Sequence, residues 1–263
     1  MDFLKEYYES RDEDSRLTSR HGSVEYITSM KYIHEFAKKC GAKRIFDVGA
    51  GTGRYSVALA REGFEVTAVE LLEHNLEILK GKLCGSEKLA AYQGNALDLS
   101  RFSDGEFDMT LVFGPMYHLY TDDDRRRALA EAVRVTRRGG FVLVAYCMNE
   151  PTVVSFVFGR GALDSVLENN MLTEDWHCIS EPKDVFAMLR TEEIDALDGS
   201  VDAVREKIVA TDGATNYMRE TVDAMDDRTF EKWVEYHLAT CERADLLGAS
   251  HHTLDILKVG KDG

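Results

Sequence analysis

Apolar and polar positions along the chain fall into two alternating rhythms. Short runs that are mostly apolar or β-branched occur at 44–46, 64–69, 89–93, 107–113, 141–147 and 204–211, and 253–259 alternates apolar with polar residues. These read as strands. Between them, apolar residues recur at the three-to-four spacing of one helix face. Tyr26, Met30, Ile33, Phe36 and Ala37 do so toward the end of 1–40, and Leu76, Leu79, Lys80 and Leu83 group on one side of 73–83.

The segment 121–138 is the clearest helix. Thr121 stands at its cap, and Asp122, Asp123 and Asp124 fall where the helix dipole favours negative charge. Leu129, Ala132, Val133 and Thr136 share one face, with Arg127, Arg134 and Arg138 opposite. That arginine set reads as a solvated face, not a nucleic-acid patch, because it opposes the buried stripe. Gly139 and Gly140 are expected to end the helix. Further helices are predicted at 54–61, 191–198 and 229–247. The last carries His237 on an apolar stripe, as a packed core histidine.

Strands alternating with helices predict an α/β fold with a doubly wound sheet. The predicted domain comprises 41–148 and 190–263, with 1–40 as an N-terminal helical arm and 253–259 as the closing edge strand. Asp12, Glu13 and Asp14 read as a solvated loop or helix surface. The segment 149–189 interrupts the rhythm with Phe156, Phe158, Trp176 and His177. It is an insertion on the edge of the sheet where ligands bind, either a cap over the substrate or structural padding.

Composition narrows the function. The 263 residues carry 32 Lys and Arg against 47 Asp and Glu, a formal net charge of −15, which argues against a nucleic-acid partner. The five cysteines (40, 84, 147, 178 and 241) are widely spaced, with no CxxC. They suit free thiols in a reducing compartment and give no metal site. The longest apolar run, 141–148, is far short of a membrane helix, and the acidic N-terminus is no signal peptide. A cytoplasmic, membrane-free protein is expected.

The chemistry concentrates at Asp47-Val48-Gly49-Ala50-Gly51-Thr52-Gly53-Arg54. A strand ends in a carboxylate, and glycines follow at every second position before a helix. Such a turn lets backbone approach a ligand closely. The spacing is GxGxG; the dinucleotide fingerprint would need glycine where Arg54 stands. The second strand ends at Glu70, placed to accept hydrogen bonds from ribose hydroxyls. The third is followed by Gly94, Asn95 and Ala96, and the fourth runs into Phe113-Gly114-Pro115-Met116-Tyr117-His118. Gly-Pro stops that strand, so Tyr117 and His118 should face the reaction zone. His118 is either a general base or substrate-orienting group, or a histidine that orders its loop.

The DVGAGTG run, supported by Glu70 and the FGPMYHL turn, resembles the motifs of class I S-adenosylmethionine-dependent methyltransferases. The resemblance covers about residues 40–148 and follows 190–263 by strand order. It implies a Rossmann-like seven-stranded sheet, mostly parallel with the last strand inserted antiparallel and helices on both faces. It also implies S-adenosylmethionine as cofactor. The cofactor residues it points to are Asp47, Gly49, Ala50, Gly51, Gly53, Tyr55, Glu70, Leu71, Asn95, Ala96, Phe113 and Gly114, with Tyr117 and His118 catalytic. Asn95 stands where the family commonly has an acidic residue against the adenine amino group; its amide can accept from that group and donate to a ring nitrogen, and Asp98 is a possible substitute. The expected reaction moves a methyl group to an oxygen or nitrogen of a small-molecule acceptor. A protein or RNA acceptor, or cofactor binding without turnover, remain the alternatives, with a nicotinamide dehydrogenase more remote. The sequence leaves the acceptor and the oligomeric state open.

Overall fold

Strands that are apolar on both faces, each joined to the next by a helix, are built to pair in parallel inside a covered sheet. The computed structural model describes residues 2–10, 14 and 16–260. In it these runs become β1 (Arg44–Val48), β2 (Glu65–Glu70), β3 (Leu89–Gln93), β4 (Phe107–Val112), β5 (Thr136–Cys147), β6 (Ala203–Ala210) and β7 (His252–Val259). They form one seven-stranded sheet of order β3-β2-β1-β4-β5-β7-β6. β1 to β5 pair in parallel, and β7 runs antiparallel to both its neighbours. The fold is thus Rossmann-like and doubly wound.

The helices are α1 (Asp2–Glu9), α2 (Arg20–Cys40), α3 (Arg54–Arg61), α4 (Glu73–Gly81), α5 (Asp122–Val135), α6 (Asn149–Thr152), α7 (Leu163–Glu168), α8 (Thr191–Asp198), α9 (Arg219–Asp223) and α10 (Asp227–Thr240). One core joins α2 and α3 to one face of the sheet through Ile33, Phe36, Leu59, Leu111 and Ile256. The other joins α5 and α8 to the opposite face through Phe46, Leu129, Val144 and Ile194. Chain order reverses beside β1, where β2 lies on one side and β4 on the other. The crevice at their carboxyl ends is where such sheets bind ligands.

Several boundaries differ from the sequence pattern. The strand expected at the edge, β7, lies inside the sheet, and β6 is the edge. Its polar position Asp255 is fully buried, where Arg205 of β6 donates Nε to it at 2.7 Å. A buried ion pair therefore mimics the polar half of an edge pattern. Helix α5 stops at Val135, short of the glycines. Thr136 turns its hydroxyl onto Ala132 O (2.7 Å) and accepts from Thr110 Oγ1 in β4 (2.6 Å), so strand pairing starts there. Arg138 accordingly belongs to β5. Arg134 is not simply solvated: it binds Glu131, Asp104 and the carbonyls of Leu99 and Phe102. The last long helix ends at Thr240, and Leu247 opens a separate 3-10 turn.

Asp12 and Glu13 lie outside the described residues. Asp14 accepts from Thr52 Oγ1 (2.9 Å) and from Lys82, so it ties the N-terminal arm to the glycine turn. No helix among the described residues is long and apolar enough to cross a membrane.

Candidate active site

After β1 the chain turns through Gly49, Gly51 and Gly53 at φ +78°, +55° and +84°, backbone that side-chain-bearing residues rarely adopt. The three have different neighbours. A Cβ on Gly49 would sit 2.5 Å from Pro115 Cδ, and one on Gly53 2.6 Å from Leu79 Cγ, whereas one on Gly51 meets open space. Gly49 thus lets the two ligand loops close on each other, Gly53 seats α4 against the turn, and Gly51 faces the cavity.

Two carboxylates flank this turn. Glu70 accepts from Gly51 N (2.8 Å) with Oε2 and from Leu72 N (2.9 Å) with Oε1, so β2 and the glycine turn are locked together. Asp47 is 1% exposed; its Oδ2 accepts from Ser56 Oγ, and its Oδ1 has no partner among the described residues. Burial pushes the Asp47 carboxyl up to about 6, opposed by the Ser56 hydrogen bond and reinforced by Glu70. A buried carboxylate oxygen without a donor is an anomaly that a bound donor or cation would remove.

These groups open into a cavity of ≈ 620 Å³, within the range of small-molecule and cofactor sites. Of the residues singled out from sequence, Asp47, Gly49, Ala50, Gly51, Tyr55, Glu70, Leu71, Asn95, Ala96, Phe113, Gly114, Tyr117 and His118 all line it. Gly53 stands behind the turn. Asn95 Oδ1 accepts from Leu97 N at 3.0 Å, and its Nδ2 has no partner among the described residues. Asp98, the suggested substitute, lies outside the cavity and accepts from Ser100 N at 3.1 Å. Arg54 stacks its guanidinium 4.6 Å over the Tyr26 ring at the cavity wall.

His118 is held at both nitrogens. Nδ1 lies 2.7 Å from Val185 O, which can only accept, so Nδ1 carries the proton; Nε2 then accepts from Tyr8 OH at 3.0 Å. Burial lowers its pKa, opposed by the bond to Val185. The imidazole is neutral, with its basic nitrogen under a tyrosine hydroxyl.

The roof of the cavity has two sources. From the insertion, Pro182 and Phe186 reach it. The stretch with Val153, Val157 and Val166 folds on a small cluster of its own, leaving Phe156, Phe158 and Trp176 exposed. Much of the cover is the N-terminal arm: Leu4, Tyr7, Tyr8, Asp14, Arg16 and Leu17. At the far end, Glu25 of α2, Asp212 after β6 and His252 at the start of β7 offer ligand atoms within 4.8 Å of one another. The two carboxylates are engaged internally: Arg16 binds Glu25 (3.0 and 3.3 Å), and Ser250 Oγ, Asn216 and His252 Nδ1 saturate Asp212. Sequence reading missed Tyr8, Arg16, Glu25, Asp212 and His252. The available signal was topological: polar residues just after β6 and just before an antiparallel β7 must share the carboxyl edge of the sheet.

A Rossmann-like sheet with a glycine turn between two carboxylates at its switch point has the form of a nucleotide-cofactor site. Residues 46–144 match the family described as methyltransferase domain, and over that span the chain is similar to class I S-adenosylmethionine-dependent methyltransferases. Over 110 residues it is 34% identical to a demethylmenaquinone methyltransferase of Clavibacter sepedonicus, covering 41% of this chain and 43% of that protein. Over 109 residues it is 32% identical to a glycine/sarcosine N-methyltransferase of Parasynechococcus marenigrum, covering 41% and 39%. The matched span is thus less than half the length of these curated relatives. A solved SAM-dependent methyltransferase of Methanosarcina mazei superposes with a TM-score of 0.58 at 15% identity, over 88% of this chain and 98% of that one. The site's own features fit the cofactor of that class: an orphaned buried Asp47 oxygen, an open face at Gly51 and a backbone-anchored Glu70.

Proposed function

We propose that this protein moves the methyl group of S-adenosylmethionine to an oxygen or nitrogen of a small-molecule acceptor by in-line displacement. One observation carries the reading: a single cavity runs from the glycine turn to an aromatic chamber roofed by the N-terminal arm, with Tyr7, Tyr8, Tyr117, Tyr120 and Phe186 on its walls. A roofed chamber suits a small acceptor. A net charge of −15 speaks against nucleic acid, and the relatives are named for small acceptors. The cysteines are free thiols, in keeping with a cytoplasmic setting.

Asp47 would hold the methionine end of the cofactor and Glu70 the ribose, with Gly49, Ala50 and Gly51 giving close backbone approach and Phe113 and Gly114 receiving the amino-acid moiety. Gly53 and Tyr55 shape the turn behind it; Leu71, Asn95 and Ala96 would border the adenine. The bound cofactor supplies a methyl already activated by a positive sulfur. What remains for the chain is to aim the acceptor and exclude water. Tyr117 walls the reaction zone. His118 Nε2 takes the proton of an acceptor hydroxyl once the Tyr8 hydroxyl moves aside; an amine acceptor requires no strong base.

Binding of S-adenosylhomocysteine by calorimetry tests the cofactor half, and absence of heat with folded protein would sink it. For the base, His118→Ala is expected to lower turnover of a hydroxyl acceptor by about 10²–10⁴-fold. Unchanged turnover would remove His118 from the chemistry.

A further inference from the structure

The far end of the cavity, at Asp212 and His252, is not used by the mechanism above. Asp212 is 1% exposed, and His252 Nδ1 donates to its Oδ2 at 2.7 Å; Ser250 Oγ holds the other oxygen at 2.6 Å. Glu25 Oε2 lies 3.6 Å from the same Nδ1. Two carboxylates on one side of an imidazole favour its protonated form. The opposite nitrogen, Nε2, has no partner among the described residues, and the ring lines the cavity beside Tyr117, ring centroids 5.7 Å apart. A charged N–H therefore points into the chamber with nothing of the protein to receive it.

The surrounding charges favour an anion there. Glu25 is already gripped by Arg16 and Asp212 by His252, so these four groups sum to zero. Arg219 on α9 adds a positive charge at the rim, and its Nε is held by Asn216. Cys147 on β5 faces the ring, and burial pushes His251, its neighbour in sequence, down to about 4, so that histidine is uncharged. Position separates this end from the cofactor. The glycine turn and Glu70 follow β1 and β2, whereas His252 opens β7, two strands beyond β4 and about 10 Å across the sheet.

We propose that His252, oriented by Asp212, is the binding site for a carboxylate carried by the methyl acceptor, at the end of the acceptor away from the methylated atom. The acceptor is then a small acid whose apolar body lies among Tyr7, Tyr117 and Phe186. His252 is raised well above its ordinary range: burial opposes the charge, but Glu25, Cys147 and Asp212 outweigh it. The site is therefore charged at neutral pH. This inference rests on the methyltransferase reading for what sits at the other end of the cavity.

The test is calorimetry on the full chain saturated with S-adenosylhomocysteine, using matched probes: benzoate against benzamide, and 4-hydroxybenzoate against 4-hydroxybenzamide. The acids are expected to bind about tenfold or more tighter than the amides at neutral pH. His252→Gln, which keeps an N–H without charge, should bring acid and amide together while leaving S-adenosylhomocysteine affinity within about twofold. In the unsubstituted protein the preference should fade as pH rises through the elevated pKa of His252, a result that does not depend on the variant folding. Acids that bind no better than amides, or not at all, overturn the proposal, as does a preference that survives in His252→Gln. Loss of S-adenosylhomocysteine affinity in that variant would also overturn it, because the site would then serve the cofactor's own carboxylate. Failure of S-adenosylhomocysteine to bind the unsubstituted protein would instead sink the methyltransferase reading.

Discussion

At the glycine turn, residues of one type do different work, and substitution separates them. Gly49→Ala brings both a strained φ, about 1–2 kcal/mol, and a collision with Pro115. It is expected to lower the melting temperature by about 5–10 °C. Gly51→Ala carries only the strain, but its methyl enters the cavity where the proposed cofactor would lie, so it should lose more S-adenosylhomocysteine affinity than stability. Thermal melts and titrations of the pair check the contrast. Asp47 makes a prediction of opposite sign. Its carboxyl rises from 3.8 to about 6 on folding, so between those values the folded protein keeps a proton that the unfolded chain has released. Stability then falls as pH climbs through that window, and above it the buried charge costs about 3 kcal/mol. Asp47→Asn is therefore expected to melt higher at neutral pH while binding S-adenosylmethionine more weakly. A variant that melts lower would refute the assignment. The glycines and the carboxylate were legible as residue types in a spacing. The orphaned oxygen was not, because it depends on Ser56 taking one side of the carboxylate and nothing taking the other.

Among the elements, the N-terminal arm opens on a short helix and lines the cavity with Leu4, Tyr7 and Tyr8. α1 spans 8 residues, too few for a stable helix alone. It is held by Tyr7 edge-on to Phe186 (ring centroids 5.3 Å) and by the Tyr8–His118 hydrogen bond. Amides of α1 are expected to exchange ahead of the sheet and to slow when ligands fill the cavity. Tyr8→Phe should speed that exchange yet leave the melting temperature within about 1 °C, since the bond to His118 lies at the end of a marginal helix. Hydrogen exchange with mass spectrometry reads both. The apolar stripe of α2 was plain in the sequence, but nothing there assigned the arm preceding it to the roof. Likewise the end of α5 at Val135 escaped a reading that waited for Gly139 and Gly140. Strand pairing through Thr110 and Thr136 overrode the local stop signal.

At the scale of the whole molecule, sheet order brings together groups far apart in sequence, and the stability profile should report it. Burial pushes Asp212 up, but His252 and Ser250 overcome this and hold it at about 2 against 3.8. Its contribution of about 2 kcal/mol is complete above 3.8 and is lost as pH falls toward 2. His252 is raised, so its share is complete below its ordinary 6.5 and is lost as pH rises through its folded value. The pair therefore supports the fold best between those limits. Asp212→Asn leaves a buried imidazolium short of its partner, a loss of about 3–5 kcal/mol. It should depress the melting temperature by about 10 °C at mildly acidic pH. A variant that melts like the parent there would show that the pair is not ionic.

Strand runs, helix stripes and the glycine spacing are local properties. The sequence alone therefore determined the α/β alternation, the glycine turn with Asp47 and Glu70, and the loop bearing Tyr117 and His118. Which strands neighbour one another is not local: β7 reads as an edge strand from its own residues, and only pairing with β5 and β6 buries Asp255 and sets His252 beside Tyr117. The far end of the cavity, from Arg16 and Glu25 to Asp212 and His252, exists only in the folded sheet. Its charges come from segments that no sequence period connects, and burial gives them meaning only once they meet.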